Sequence, residues 1–170
     1  YGPFVLVYGF GAVILTLLLH RFHDKKDFYL FLISMIIGAS FEYICSYFQE
    51  AVFGSISWDY YPSMFNLGGR TNLMYSFFWG VLGMVWIKDL YPRLSLFIEK
   101  IPKKPGNIIT FIAVIFMSLD ILLSAAAVYR QGQRVKNIPA SSKISIFLDQ
   151  HYDDEFLATR YINMKFLHDQ

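Results

Sequence analysis

The stretch FYLFLISMIIGASFEYICSYFQE, residues 28–50, decides how this chain is read, because it holds no basic residue and only two acids, Glu42 and Glu50. A helix rises about 1.5 Å per residue, and about 20 residues cross the roughly 30 Å of bilayer hydrocarbon. The segment is therefore predicted to span a membrane. Working outward, the same test places further spans at about 3–21, 71–88 and 107–129, four in all. A composition of 55% hydrophobic and 19% aromatic residues, with mean hydropathy +0.40, is more apolar than a soluble domain of this size could bury.

The expected fold is all-α: a bundle of four transmembrane helices over 1–129, then a helical tail over 130–170 packed on the membrane domain. The chain starts at Tyr1 with no basic region before its first apolar stretch. That argues against a secretory signal peptide and suggests part of a longer product. The single cysteine, Cys45, excludes an internal disulfide framework and a cysteine-based zinc site. A net charge of +2 is too small to point to nucleic acid.

Charge in the connections sets orientation. Arg21, Lys25 and Lys26 lie in the first, and Lys88, Arg93, Lys100, Lys103 and Lys104 in the third, whereas residues 54–70 offer only Arg70. The positive-inside rule puts the first and third connections in the cytoplasm and the second outside, together with the tail. Arg130, Arg134, Lys136 and Lys143 follow the fourth span directly and run against that placement.

In the third connection Leu90, Leu94, Phe97, Ile98 and Ile101 make one apolar stripe beside Lys and Arg, which predicts a short interfacial helix ended by Pro102 and Pro105. Leu94, Phe97 and Ile101 are its candidate contacts to a cytoplasmic partner; a linker resting on the membrane is the plainer alternative. In the tail, apolar patterning predicts helices over about 141–150 and 153–167.

Small residues on one helix face mark the bundle interior. Such faces are Gly9, Ala12 and Thr16; Ser34, Gly38, Glu42, Cys45 and Gln49; Asn72, Ser76, Gly80 and Gly83; and Ala113, Asp120, Ser124 and Ala127. Two of these faces carry acids near mid-membrane, Glu42 and Asp120. Intramembrane charge is costly and is usually set against a partner or an aqueous path. Arg70 is long enough to supply the cation, so all three are expected to line one outward-facing site, or else to form ion pairs that only fix helix register. In the outer loop, an aromatic belt would account for Trp58, Tyr60 and Tyr61. Asn66, Gly68, Gly69 and Arg70 suggest instead a shaped turn, making Trp58, Asp59, Tyr60 and Asn66 further candidate substrate-binding residues.

The run Trp58-Asp59-Tyr60, then Phe65-Asn66-Leu67, Gly69-Arg70 and Phe78-Trp79-Gly80, resembles the bacterial family described as putative ABC-transporter type IV permeases, the CmpB-like proteins. Gly2-Pro3-Phe4, Tyr8-Gly9-Phe10-Gly11, Glu42-Tyr43 and the tail residues Asp149, Tyr152, Asp153, Tyr161, Asn163 and Met164 agree with it. Leu6-Val7, Gly68 and Ile162 depart from the family's usual residues. The resemblance implies a multi-pass protein of the bacterial cell membrane, with a fifth, upstream helix missing here. It also implies a permease role with ATP handled by a partner, since the chain has no GxxxxGK[ST] phosphate loop. Four or five spans are few for a translocation path, so a homodimer or a second membrane subunit is expected.

His20, His23 and Asp24 make too sparse a set to hold zinc. Asp149, His151, Asp153, Asp154 and Glu155 lack the alternation and glycine of a calcium loop and read better as a solvated helix start. No cofactor, metal or nucleophile motif is predicted. The alternatives to a permease are a small membrane enzyme acting on an outer-leaflet or extracytoplasmic anionic substrate, with Glu42 or Asp59 as acid/base, and a structural or regulatory membrane protein.

Overall fold

Sustained hydropathy rather than local propensity fixes the long elements, and in the computed structural model, which describes residues 6–167, three helices are long and apolar enough to cross a membrane. They are α2 (Asp27–Phe53), a continuous helix over Leu73–Glu99, and α5 (Lys103–Val135). The expected first span is a shorter apolar helix, α1 (Leu6–Leu19), extended by a 3-10 turn at His20–Phe22. Its predicted start at residue 3, with the Gly2-Pro3-Phe4 motif, lies outside the described residues.

The third span does not stop at residue 88. Helix α3 (Leu73–Val85) passes through a π turn (Trp86–Leu90) into α4 (Tyr91–Glu99), so the amphipathic segment expected as a separate interfacial helix continues the span. The reason is Pro92. Proline has no N–H and its ring clashes with the carbonyl four residues back. Here the preceding turn is wide, with Tyr91 N–H donating to the Trp86 carbonyl, and the helix goes on without a break. Pro105, expected to end that segment, sits in the first turn of α5, where its missing N–H costs nothing.

The described chain forms two compact units. One comprises the described residues up to Cys45 with Asp59–Asn107. Its core is Leu15, Leu19, Leu30 and Ile87, packed against Phe22, Ile33, Ile37, Trp79, Trp86 and Tyr91. The predicted small face of α3 is buried at Asn72, Ser76, Gly80 and Gly83. On α2 the buried line is Leu30, Ser34, Gly38, Glu42 and Ser46, every fourth residue. On α1 the predicted face is inward only in part: Gly9 is exposed with open space beside it, Ala12 and Thr16 are half-buried, and Gly11, Leu15 and Leu19 are the buried residues. Leucines supply most of that contact, which a pattern of small residues does not mark. Trp79 lies in a notch cut by Gly38 and Gly11, Phe31 rests on Gly80, and Trp86 Nε1 donates to Thr16 Oγ1 at 2.7 Å. An ion pair between Asp27 and Lys88 joins the start of α2 to the π turn inside the Leu73–Glu99 helix.

The other unit holds Ser46–Trp58 and the chain from Ile108 onward. After α5 come α6 (Lys143–His151) and α7 (Asp154–Arg160). The second tail helix was expected to reach residue 167. It ends at Arg160, and Lys165–Phe166 forms a strand, β4, antiparallel to β1 (Ser55–Ile56). Phe166, read as one more apolar residue of a helix face, is buried in that strand against Gly132. The pairing ties the segment after α7 to the connection that follows α2.

Ala127, Leu148 and Leu157 form the core of this unit. Beside them Arg130, only 4% exposed, donates from Nε and NH2 to the two Asp149 oxygens at 2.9 and 2.8 Å, and from NH1 to Gln133 and the Ile138 carbonyl. Arg134 donates to Asp149 and Asp154. The two arginines that opposed the charge rule are thus neutralised within the fold. The acidic cluster is in large part the solvated helix start expected of it: Asp153, Asp154 and Glu155 are exposed at the start of α7, and the Asp153 carboxylate caps it by accepting from Phe156 N–H at 2.8 Å, while Asp149 and Asp154 also pair with the arginines.

The hydrogen bonds from Arg130, helped by Arg134 and opposed by desolvation, hold the Asp149 carboxyl down at about 2. The folded chain therefore binds this proton less tightly than the unfolded chain does. The resulting stabilisation is complete above about pH 4 and fades as pH falls toward about 2. Thermal unfolding in detergent from pH 5 down to 2 should show this loss, and Asp149→Asn should remove Asp149's share of it.

Candidate functional site

Glu42 lies on the buried line of α2, 8% exposed, with apolar and small residues for a turn and more on either side of it in the helix. Its carboxylate is met from the connection between α2 and α3. Thr71 Oγ1 donates to one oxygen at 2.7 Å and Tyr60 Oη to the other at 3.0 Å. Thr71 is itself buried, at 4% exposure, and Tyr60 stacks on Tyr75 with ring centroids 4.7 Å apart. Burial, with the nearby Glu42 charge, raises the Tyr60 phenol well above its ordinary range, so it stays protonated and remains a donor.

The connection presents these hydroxyls because it is folded rather than slack. β2 (Asn66–Leu67) and β3 (Thr71–Asn72) pair antiparallel around Gly68, Gly69 and Arg70. Both glycines have positive φ, 58° and 68°, and a Cβ on Gly69 would run into the Tyr61 ring and the Asp59 carboxylate. Asn66 organises the turn. Its amide donates to the Ser63 carbonyl at 2.9 Å, and its Oδ1 accepts from Gly69 N–H at 3.0 Å. Asp59 Oδ1 accepts from Tyr61 N–H at 2.9 Å, an Asx turn, and Tyr60 N–H donates to the Gly69 carbonyl at 2.8 Å. Asn72 then caps α3 by accepting from Tyr75 N–H.

Of the residues singled out from sequence, Glu42 and Tyr60 are in direct contact, while Asp59 and Asn66 shape the turn that carries Tyr60. Arg70 stands with its guanidinium 5.8 Å from the centre of the Tyr43 ring, on the helix turn next to Glu42. Trp58 and Asp120 belong to the other unit, Asp120 half-buried near the middle of α5. Thr71 was missed. It lies just beyond Arg70, where the spacing suggested only the start of a span, and a lone threonine carries no pattern until a hairpin turns it toward a carboxylate. A carboxylate offers about four lone-pair positions. With two hydroxyls bound, Glu42 can still accept from a ligand that brings its own donors.

With this geometry in hand, comparison with known proteins gives one match: the family model described as "Putative ABC-transporter type IV" fits residues 1–125. No curated protein and no solved structure matches the chain.

Proposed function

The chain belongs to the family described as "Putative ABC-transporter type IV", and from that premise we propose that it is a permease subunit of a bacterial transporter, or an accessory of one. A separate subunit hydrolyses ATP, and a second copy or another membrane subunit completes the path. Its polar site is the Glu42 carboxylate with Tyr60, Thr71 and Arg70, open to solutes on the side of the α2–α3 connection. The observation that carries this reading is Glu42 itself, an intramembrane acid kept beneath a folded loop by two hydroxyl donors. Membership makes association with ATP-binding or other transporter subunits the natural expectation. The exposed side chains of Leu94, Phe97 and Ile101, at the opposite end of the third span, offer a contact for the ATP-binding subunit.

Purification of the native protein in mild detergent tests the assembly. An ATP-binding subunit should co-purify, and Phe97→Asp should release it while the melting temperature holds. Absence of any such subunit, with no ATP hydrolysis, removes the reading.

A second reading has a specific observation behind it. Both Glu42 oxygens are engaged by the loop, so Glu42 could act as a clamp that fixes the connection. The two readings diverge for Glu42→Gln, which weakens two charge-assisted hydrogen bonds by about 1–2 kcal/mol in all. A site residue loses solute-stimulated ATP hydrolysis in the co-purified complex with the loop still resistant to proteolysis. A clamp gives a cleavable loop, a lower melting temperature and unchanged hydrolysis.

A further inference from the structure

The end of the third span carries a charge pattern that the permease reading does not use. About 20 residues, the length that crosses the hydrocarbon, run from Leu73 to Pro92, so the helix from Arg93 onward emerges in the headgroup layer. Lys103 and Lys104 then open α5, and the sequence turns apolar again from Ile108. The two helices meet one interface at their joined ends, with only Ile101 and Pro102 between Lys100 and Lys103.

The cations are sorted by face. Arg93, Leu96 and Lys100 fall at i, i+3 and i+7 on one stripe, and Lys100 keeps helical dihedrals as the C-cap of α4. Glu99 lies about 100° or more round the helix from either cation and accepts from Ser95 Oγ at 3.4 Å. The other nearby acid, Asp89, belongs to the π turn before the stripe begins. No residue of α4 is buried, and Arg93, Leu96, Lys100, Lys103 and Lys104 are all exposed. An orientation signal needs only a count of cations and is indifferent to their helix face. The sorting calls for something that meets a single face.

Lys103 and Lys104 add a second observation. They occupy the first turn of α5, which holds no acid, although the positive end of a helix dipole disfavours cations. An anion set against that turn offsets both the lysines and the dipole.

We propose that Arg93, Lys100, Lys103 and Lys104 bind the phosphate headgroups of anionic phospholipids, with Leu96 against the acyl region. Arginine grips a phosphate bidentately and lysine as a point charge, and each cation adds about fivefold in affinity near an anionic surface. The Leu94, Phe97 and Ile101 stripe lies beside this one, so the lipid leaves it open to a protein. The inference stands apart from the permease reading and would survive its failure.

The full chain, delipidated in a neutral detergent, is titrated with phosphatidylglycerol or with phosphatidylcholine of the same acyl chains, and bound lipid is followed by native mass spectrometry. Phosphatidylglycerol should saturate and bind on the order of a hundredfold more tightly, with the preference shrinking as added salt screens the charges. Lys100→Gln, Lys103→Gln and Lys104→Gln together should bring phosphatidylglycerol close to the phosphatidylcholine value and leave the lipid-free melting temperature equal or higher. Arg21→Gln, Lys25→Gln and Lys26→Gln together remove the same charge from a connection where Asp24 and Asp27 are interspersed, and should keep most of the preference. Glycerol 3-phosphate in large excess should not displace the lipid. Equal affinity of the wild-type chain for the two lipids, an equal loss in both triple variants, or displacement by glycerol 3-phosphate overturns the proposal. The comparison of lipids needs no variant, so it holds even if a substituted chain fails to fold.

Discussion

Asp149→Ala is expected to cost about 3–5 kcal/mol of stability, because it removes the carboxylate from a guanidinium that the fold has already taken out of water. Arg130 would keep Gln133 and the Ile138 carbonyl but lose both bidentate bonds, and Arg134 would retain Asp154 and the Tyr152 carbonyl. The large effect comes from the stranded charge and not from the worth of the pair. Removing both partners with Arg130→Met and Asp149→Leu should therefore recover most of the loss. Thermal unfolding of the wild-type chain, Arg130→Met, Asp149→Leu and the double variant in one detergent forms a double-mutant cycle. If the double variant is as unstable as the sum of the singles, the pair is not acting as a unit.

Gly38→Leu should be comparably damaging in the other unit. A Cβ at Gly38 would be built inside the Trp79 side chain, so α2 and α3 could keep neither their spacing nor the Trp79 rotamer. Overpacking costs typically about 1–3 kcal/mol, and more where backbone contacts cannot give way. Between membrane helices, close van der Waals contact is itself the main adhesive, which raises the stake. Gly38→Ala with Trp79→Ala tests the assignment. The alanine should be harmful beside tryptophan and nearly neutral once the ring is gone. Equal cost in both backgrounds would mean the notch is not where the strain lies.

The long elements could be read from sequence because membrane burial demands uninterrupted apolar runs, and residues 28–50 and 107–129 supply them. Where the prediction failed, the deciding contact was local and without period. β1 and β4 are two residues each, too short for alternation to show. A charge at Lys88 suggests an interface and so the end of a span; its pairing with Asp27 and the wide turn before Pro92 let the helix run on. The importance of Glu42 was legible from the cost of a mid-membrane acid. Its partners were legible only in part: Tyr60 stood out in an unusual loop, but Thr71 depends on a hairpin whose geometry Gly68 and Gly69 permit without advertising. Phe78-Trp79-Gly80, noticed as part of a resemblance, is explained by packing, with the ring seated on Gly38 and the glycine under Phe31.

The register Ser55 to Phe166 joins points on the order of a hundred residues apart. During synthesis, β1 emerges and must wait while two further long helices are made and inserted before its partner strand exists. Until then the backbone edge at Ser55–Ile56 stays unpaired and Gly132 has no aromatic ring to cover it. That half of the molecule matures only after translation has passed Phe166, and a ribosome stalled before Lys165 would hold a chain whose helices are in place but whose second unit is unlatched.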